Sequence, residues 1–102
     1  MKSLSLAVVS MSAVLITSPA VLAGDAAAGK EKAQSCVSCH GMNGRSTNPN
    51  NPNLAGQKKN YLIKSMKAYK TGDRKDAMMS SLMGSLTDAD IENLAEFFST
   101  VK

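Results

Sequence analysis

Tryptophan is absent from the 102 residues, and the aromatic complement is thin: Tyr61, Tyr69, Phe97 and Phe98. Histidine occurs once, as His40, and cysteine twice, as Cys36 and Cys39. Each scarcity excludes something. Three Cys/His side chains do not complete a four-ligand structural zinc site without carboxylates. No segment alternates apolar and polar residues with period two, which removes β architectures and the βαβ setting of a thioredoxin-like cysteine pair. The charge surplus is small and dispersed, formally +4 over the whole chain, too little to argue nucleic-acid binding. No internal repeat is visible. With so few large side chains, a domain of this size needs a staple beyond its own core.

The first stretch has a different character from the rest. Lys2 precedes an uncharged, mostly apolar run from Leu4 to Ile16, broken by Ser18-Pro19, and Val21-Leu22-Ala23 has the small-residue pattern of a signal peptidase site. The run is short and diluted with serine for a membrane-spanning helix. Residues 1–23 are therefore expected to be a cleaved export signal, with an uncleaved anchor as the alternative, and Gly24 to Lys102 one domain. Without Lys2 that domain carries eleven basic and eight acidic residues. Lys58-Lys59 with Lys64, Lys67 and Lys70 make either a basic patch for an acidic partner or an ordinary solvated helix face.

Three helical segments are expected. The first follows Asp25, a good N-cap, and runs through Ala26-Ala27-Ala28 to about Cys36. Ala26, Gly29, Ala33 and Cys36 form a face of small residues, and Gly29, costly in a helix, marks either close approach of another backbone or a merely tolerated glycine. Residues 41–58 have turn chemistry throughout, with Asn48-Pro49-Asn50-Asn51-Pro52-Asn53 at the centre. A loop of that length tends to be functional or to wrap something. The second helix spans about Asn60 to Thr71, ends at Gly72, and puts Leu62, Met66 and Tyr69 on one face. Gly72 to Leu86 reads as irregular and methionine-rich. Thr87-Asp88-Ala89-Asp90 resembles a capping box opening the last helix, whose stripe is Ile91, Leu94, Ala95 and Phe98. The fold class is all-α.

Cys36-Val37-Ser38-Cys39-His40 carries the chemistry. Cysteines three apart face one way from a helical turn, where they can form thioethers with the two vinyl groups of one haem, and the histidine that follows lies beneath the iron. This is the c-type haem attachment signature. A plain disulfide is open to an exported protein, but it leaves the adjacent histidine and the thin core unexplained. With no second histidine, a sixth ligand falls to methionine, whose soft thioether raises the reduction potential when paired with histidine. Met42 is too near His40 in sequence and Met66 belongs to a core stripe. Met78, Met79 and Met83 remain, and a flexible loop can present any of them.

At these residues the chain resembles the class I c-type cytochromes, particularly the small monohaem proteins of bacterial periplasms, and one half of the related two-haem periplasmic cytochromes. The resemblance covers nearly all of residues 24–102. It rests on Gly29, the Cys36-to-His40 motif with Gly41, Pro52-Asn53-Leu54-Ala55-Gly56-Gln57, Tyr61-Leu62, Gly72-Asp73-Arg74, and Leu86-Thr87-Asp88 leading into Phe97-Phe98. It implies three main helices and loops wrapped around one haem c, bound covalently through Cys36 and Cys39 with His40 as axial ligand. It places Gly29 where the first helix crosses the last, beside Phe97 or Phe98. It puts the Pro52 carbonyl on His40 Nδ1–H, which orients the ring, and counted back from Leu86-Thr87 it makes Met79 the second axial ligand. Arg74, Lys75 and Tyr61 are candidates to meet the haem propionates. The implied function is electron transport, not catalysis, with single electrons passing between redox protein partners such as a quinol-oxidising complex and a terminal oxidase or reductase of a respiratory chain. The implied location is the periplasm, with cleavage after Ala23, no permanent membrane anchor and no nucleic-acid partner. A haem subunit of a larger dehydrogenase is an alternative, as is a haem enzyme or gas-binding protein with a displaceable sixth ligand.

Overall fold

The structure, a computed structural model, describes residues 3, 5, 7–13 and 24–102. The expected signal cleavage site, Val21-Leu22-Ala23, lies outside the described residues. Within them no helix is long and apolar enough to cross a membrane, and there is no strand. Five α-helices follow in order: α1 Ala26–Lys32, α2 Val37–His40, α3 Lys59–Thr71, α4 Ala77–Gly84 and α5 Asp88–Thr100, with 3-10 turns at Ala33–Ser35 and Met42–Gly44.

α1 starts where Asp25 accepts the amides of Ala27 and Ala28 at 2.9 and 3.2 Å, which satisfies two of the helix's unpaired N-terminal donors. The expected continuous helix to Cys36 is in fact broken. Its α-geometry ends at Lys32 and tightens into the 3-10 turn, where Ser35 Oγ returns a hydrogen bond to Lys32 O at 3.2 Å and competes with the helical ladder. α1 packs along α5, and Gly29 is the point of closest approach. A Cβ there would stand 2.0 Å from Asn93 O and 2.9 Å from Phe97 Cβ. Asn93 also accepts the Asp25 amide at 2.8 Å, so one residue of α5 fixes both the entry and the crossing of α1.

The core is the inner face of α5, with Ile91, Leu94, Ala95 and Phe98 buried against Ala33, Leu62, Met83 and Leu86. α3 ends at Gly72, in the left-handed conformation. Of the lysines weighed as a basic patch or a solvated helix face, Lys59 pairs with Glu96 at 3.0 Å and Lys70 Nζ donates to Leu86 O, whereas Lys58, Lys64 and Lys67 are exposed. The stretch after Gly72, expected to be irregular, contains α4. Asp76 has extended backbone angles and accepts the Met79 amide at 2.9 Å, a proper N-cap. Met79, Leu82 and Met83 then turn inward at i, i+3 and i+4. Short length, two serines and a terminal glycine conceal the helix in the sequence.

The capping box at α5 is complete. Thr87 N–H donates to Asp90 Oδ2 at 3.0 Å and Asp90 N–H to Thr87 Oγ1 at 3.1 Å. The Thr87 amide, with a smaller contribution from the Lys32 ammonium 3.5 Å away, holds the Asp90 carboxyl below its ordinary pKa. Thr87→Ala should cost about 1 kcal/mol in urea denaturation. Because the folded-state pKa is depressed, the Asp90 contribution is complete above the ordinary carboxylate range and is lost as pH falls through the depressed value. Asp90→Asn should therefore flatten the acid side of the stability profile, and an unchanged profile would contradict this role.

Candidate functional site

α2 is a single turn, and its N-cap Cys36, Cys39 and His40 all face a cavity of about 600 Å³. That volume lies within the roughly 300–1,000 Å³ of cofactor-sized sites. Pro52 and Leu54 of the loop after α2 line it, as do Leu62, Met66 and Tyr69 of α3, Met78, Met79 and Met83 at α4, and Leu94 and Phe98 of α5. The walls are mostly apolar, which explains how a chain with so few aromatic residues encloses so large a space.

His40 is the buried polar residue of the core region, 7% exposed. Its Nδ1 lies 2.9 Å from Pro52 O. A proline carbonyl only accepts, so Nδ1 carries the proton and donates, and Nε2 is left with its lone pair free to coordinate. The backbone turns sharply after the ring. Gly41 has φ +80°, and a Cβ on it would fall 1.9 Å from Arg45 O. The loop carrying Pro52 is tied down at several points. Leu54 N–H and Ala55 N–H donate to Gly44 O at 2.8 and 3.1 Å, Gly56 N–H to Phe98 O at 2.8 Å, and Asn51 Nδ2 to Cys39 O at 2.9 Å. The carbonyl that orients His40 is thus anchored both to α2 and to the end of α5.

Both thiols are free and half-buried. Burial pushes the Cys36 pKa up, with a smaller opposing effect from the Ser35 hydroxyl. A raised pKa keeps the Cys36 thiol neutral, unlike the depressed values of thiolate nucleophiles. Among the described residues no group of three His, Cys, Asp or Glu side chains is placed to hold a metal ion.

All five residues expected to hold a haem, Cys36, Cys39, His40, Pro52 and Met79, border this one cavity. Met79 is half-buried, Met78 is 62% exposed and Met83 is 2% exposed within the core. Met42, 72% exposed, does not border it. Met66, expected as core alone, packs on the core and lines the cavity as well. Of the three residues considered for propionates, Tyr61 and Arg74 line the cavity and Lys75 does not. Sequence reasoning missed Asn51, Gln57, Ser65, Tyr69 and Asp76. Only the Asx-rich composition of the loop hinted at hydrogen-bonding side chains there. Two free sulfurs beside an imidazole with an available Nε2, thioethers along the same apolar cavity and a fixed orienting carbonyl are a donor set that fits a c-type haem.

Comparison with known proteins agrees. The family model Cytochrome c matches residues 26–102. Over 81 residues the chain is 46% identical to cytochrome c-554(548) of Halomonas halodenitrificans, covering 76% of this chain and 98% of that one. Over 87 residues it is 45% identical to cytochrome c4 of Pseudomonas aeruginosa, covering 85% of this chain and 43% of that one. The crystal structure of reduced recombinant cytochrome c4 from Pseudomonas stutzeri superposes with a TM-score of 0.75 at 40% identity, over 78% of this chain and 47% of that one. The chain therefore spans less than half the length of the cytochromes c4 it matches and nearly all of cytochrome c-554(548). An all-α class I cytochrome fold, the attachment motif and these matches lead to one conclusion: the chain belongs to the cytochrome c family, which implies a covalently bound haem c.

Proposed function

We propose that this chain is an exported electron carrier holding one haem c. Cys36 and Cys39 would supply the thioethers, and His40 Nε2 and Met79 Sδ would be the donors to its iron. The observation that carries the reading is the 2.9 Å bond from His40 Nδ1–H to Pro52 O beside the two free thiols. When bound, the haem supplies a one-electron ferric–ferrous couple. The chain's own residues do the rest. Pro52 O holds the imidazole in one tautomer and strengthens Nε2 as a donor. Met79 contributes a soft, uncharged sulfur that does not titrate, so its ligation is indifferent to pH near neutrality. Leu62, Leu94 and Phe98 give the cavity an apolar wall, and such a wall lowers the local dielectric and favours the state of smaller charge.

His40 and Met79 line the same cavity, and were both to ligate the iron no coordination position would be left for a substrate, which is the behaviour of a carrier rather than an enzyme. The positively charged, apolar and Ala23-terminated leader supports export to the periplasm with cleavage after Ala23 and no lasting membrane anchor. Redox proteins are the partners this reading requires, a quinol-oxidising complex on one side and a terminal oxidase or reductase on the other. Intact mass of the exported protein tests it directly. The expected result is the polypeptide from Gly24 plus one haem, with Soret absorption. A bare polypeptide after co-expression with a cytochrome maturation system would overturn it.

A further inference from the structure

Met78 and Met79 are consecutive and both border the cavity, so the backbone that carries them decides which sulfur is presented. Successive residues of a helix point roughly 100° apart. Burial holds the far end of α4, where Leu82 packs on the core and Met83 is 2% exposed. It holds the near end poorly, since Asp76 and Ala77 are exposed and Met78 is 62% exposed. Asp76 fixes that end by hydrogen bonds instead. Its carbonyl accepts the Ser80 amide at 2.8 Å, and its Oδ1 accepts the Met79 amide at 2.9 Å. A helix start leaves its first amides without partners, and the one that the Asp76 side chain satisfies belongs to the methionine that packs inward.

We propose that Asp76 selects the donor: by capping the Met79 amide it keeps the first turn of α4 wound, which presents the Met79 sulfur to the cavity and withholds that of Met78. Asp76 is a positioning residue. This rests on the haem reading above, in which a methionine of this segment ligates the iron. Without the cap the turn unwinds part of the time, and an unwound segment offers either sulfur. The loss of one cap shifts such a local equilibrium about fivefold.

The test uses the matured, full-length protein. Asp76→Asn and Asp76→Ala both remove the charge, and of the two only asparagine keeps a side-chain oxygen for the amide. Reduced Asp76→Asn should bind carbon monoxide as slowly as the parent, and reduced Asp76→Ala about fivefold faster, because a loosened sulfur leaves the iron more often. Asp76→Ala/Met79→Ala should regain part of the weak far-red methionine–iron band that Met79→Ala alone loses, and adding Met78→Ala should remove it again. A cap with a merely structural role would lower stability in urea and move neither the rate nor the band. Equal carbon monoxide rates in Asp76→Asn and Asp76→Ala would overturn the proposal and leave the haem reading standing. A double variant with no regained band would overturn the exclusion of Met78. Should Asp76→Ala not mature, Asp76→Glu, a longer carboxylate outside the favoured caps, replaces it against Asp76→Asn, and equal rates for those two would sink the proposal. A parent protein without haem would sink both readings.

Discussion

Met79→Ala should abolish the weak far-red methionine–iron band of the oxidised protein, lower its reduction potential and allow rapid carbon monoxide binding to the reduced form. On the proposed ligation, loss of the thioether would remove the donor that favours ferrous iron and leave a coordination position open. Three methionines of one segment border the cavity, and their surroundings separate the expected outcomes. Met78 is 62% exposed, so Met78→Ala should change neither spectrum nor stability by much. Met83 is 2% exposed and packed with the α5 stripe, so Met83→Ala should create a void costing about 2–5 kcal/mol while the band survives. Met79 is half-buried on the first turn of α4, its amide fixed by Asp76. If Met83→Ala loses the band and Met79→Ala keeps it, the ligand assignment is wrong.

Gly29→Ala should destabilise the protein by about 3 kcal/mol or more, measured by urea denaturation. Overpacking typically costs about 1–3 kcal/mol, occasionally more. Here the nearest atom to the added methyl is a backbone oxygen at 2.0 Å, which no side-chain rotation removes. Better helix propensity returns at most about 1 kcal/mol. The helices must separate, and α1 leads directly into the turn that bears Cys36, so haem incorporation should decline as well. Gly84 is the control. A Cβ there would meet nothing within 4 Å, and its φ is not positive, so Gly84→Ala should be neutral or stabilising by less than about 1 kcal/mol. Similar losses at both positions would show that α1 and α5 do not meet as closely as their backbones indicate.

Much of the fold is legible along the chain because it is written in local chemistry. Asp25 and Thr87 announce helix starts through side-chain oxygens aimed at their own backbone, Gly72 announces a stop, and the Ile91-Leu94-Ala95-Phe98 spacing marks the buried face of α5. α4 was illegible for an equally local reason: its eight residues are too few to establish a period against Ser80, Ser81 and Gly84. The 3-10 turn before α2 was hidden because its three residues, Ala33–Ser35, are too few to show a change of period.

The site divides along the same line. Cys36, Cys39 and His40 are neighbours in sequence, so their chemistry is stated by spacing alone. The resemblance to known cytochromes supplied Pro52 and Met79, and the folded chain borders one cavity with all five. The attachment motif, the all-α class, the cap residues and the shortage of core came from the sequence unaided, because each depends on residues within a turn or on composition. How closely Gly29 lets two helices meet, and that Arg74 lies over Tyr69, were decided only in three dimensions. Each depends on backbone atoms or ring faces that folding brings together, and no periodicity encodes where such a carbonyl or ring will stand.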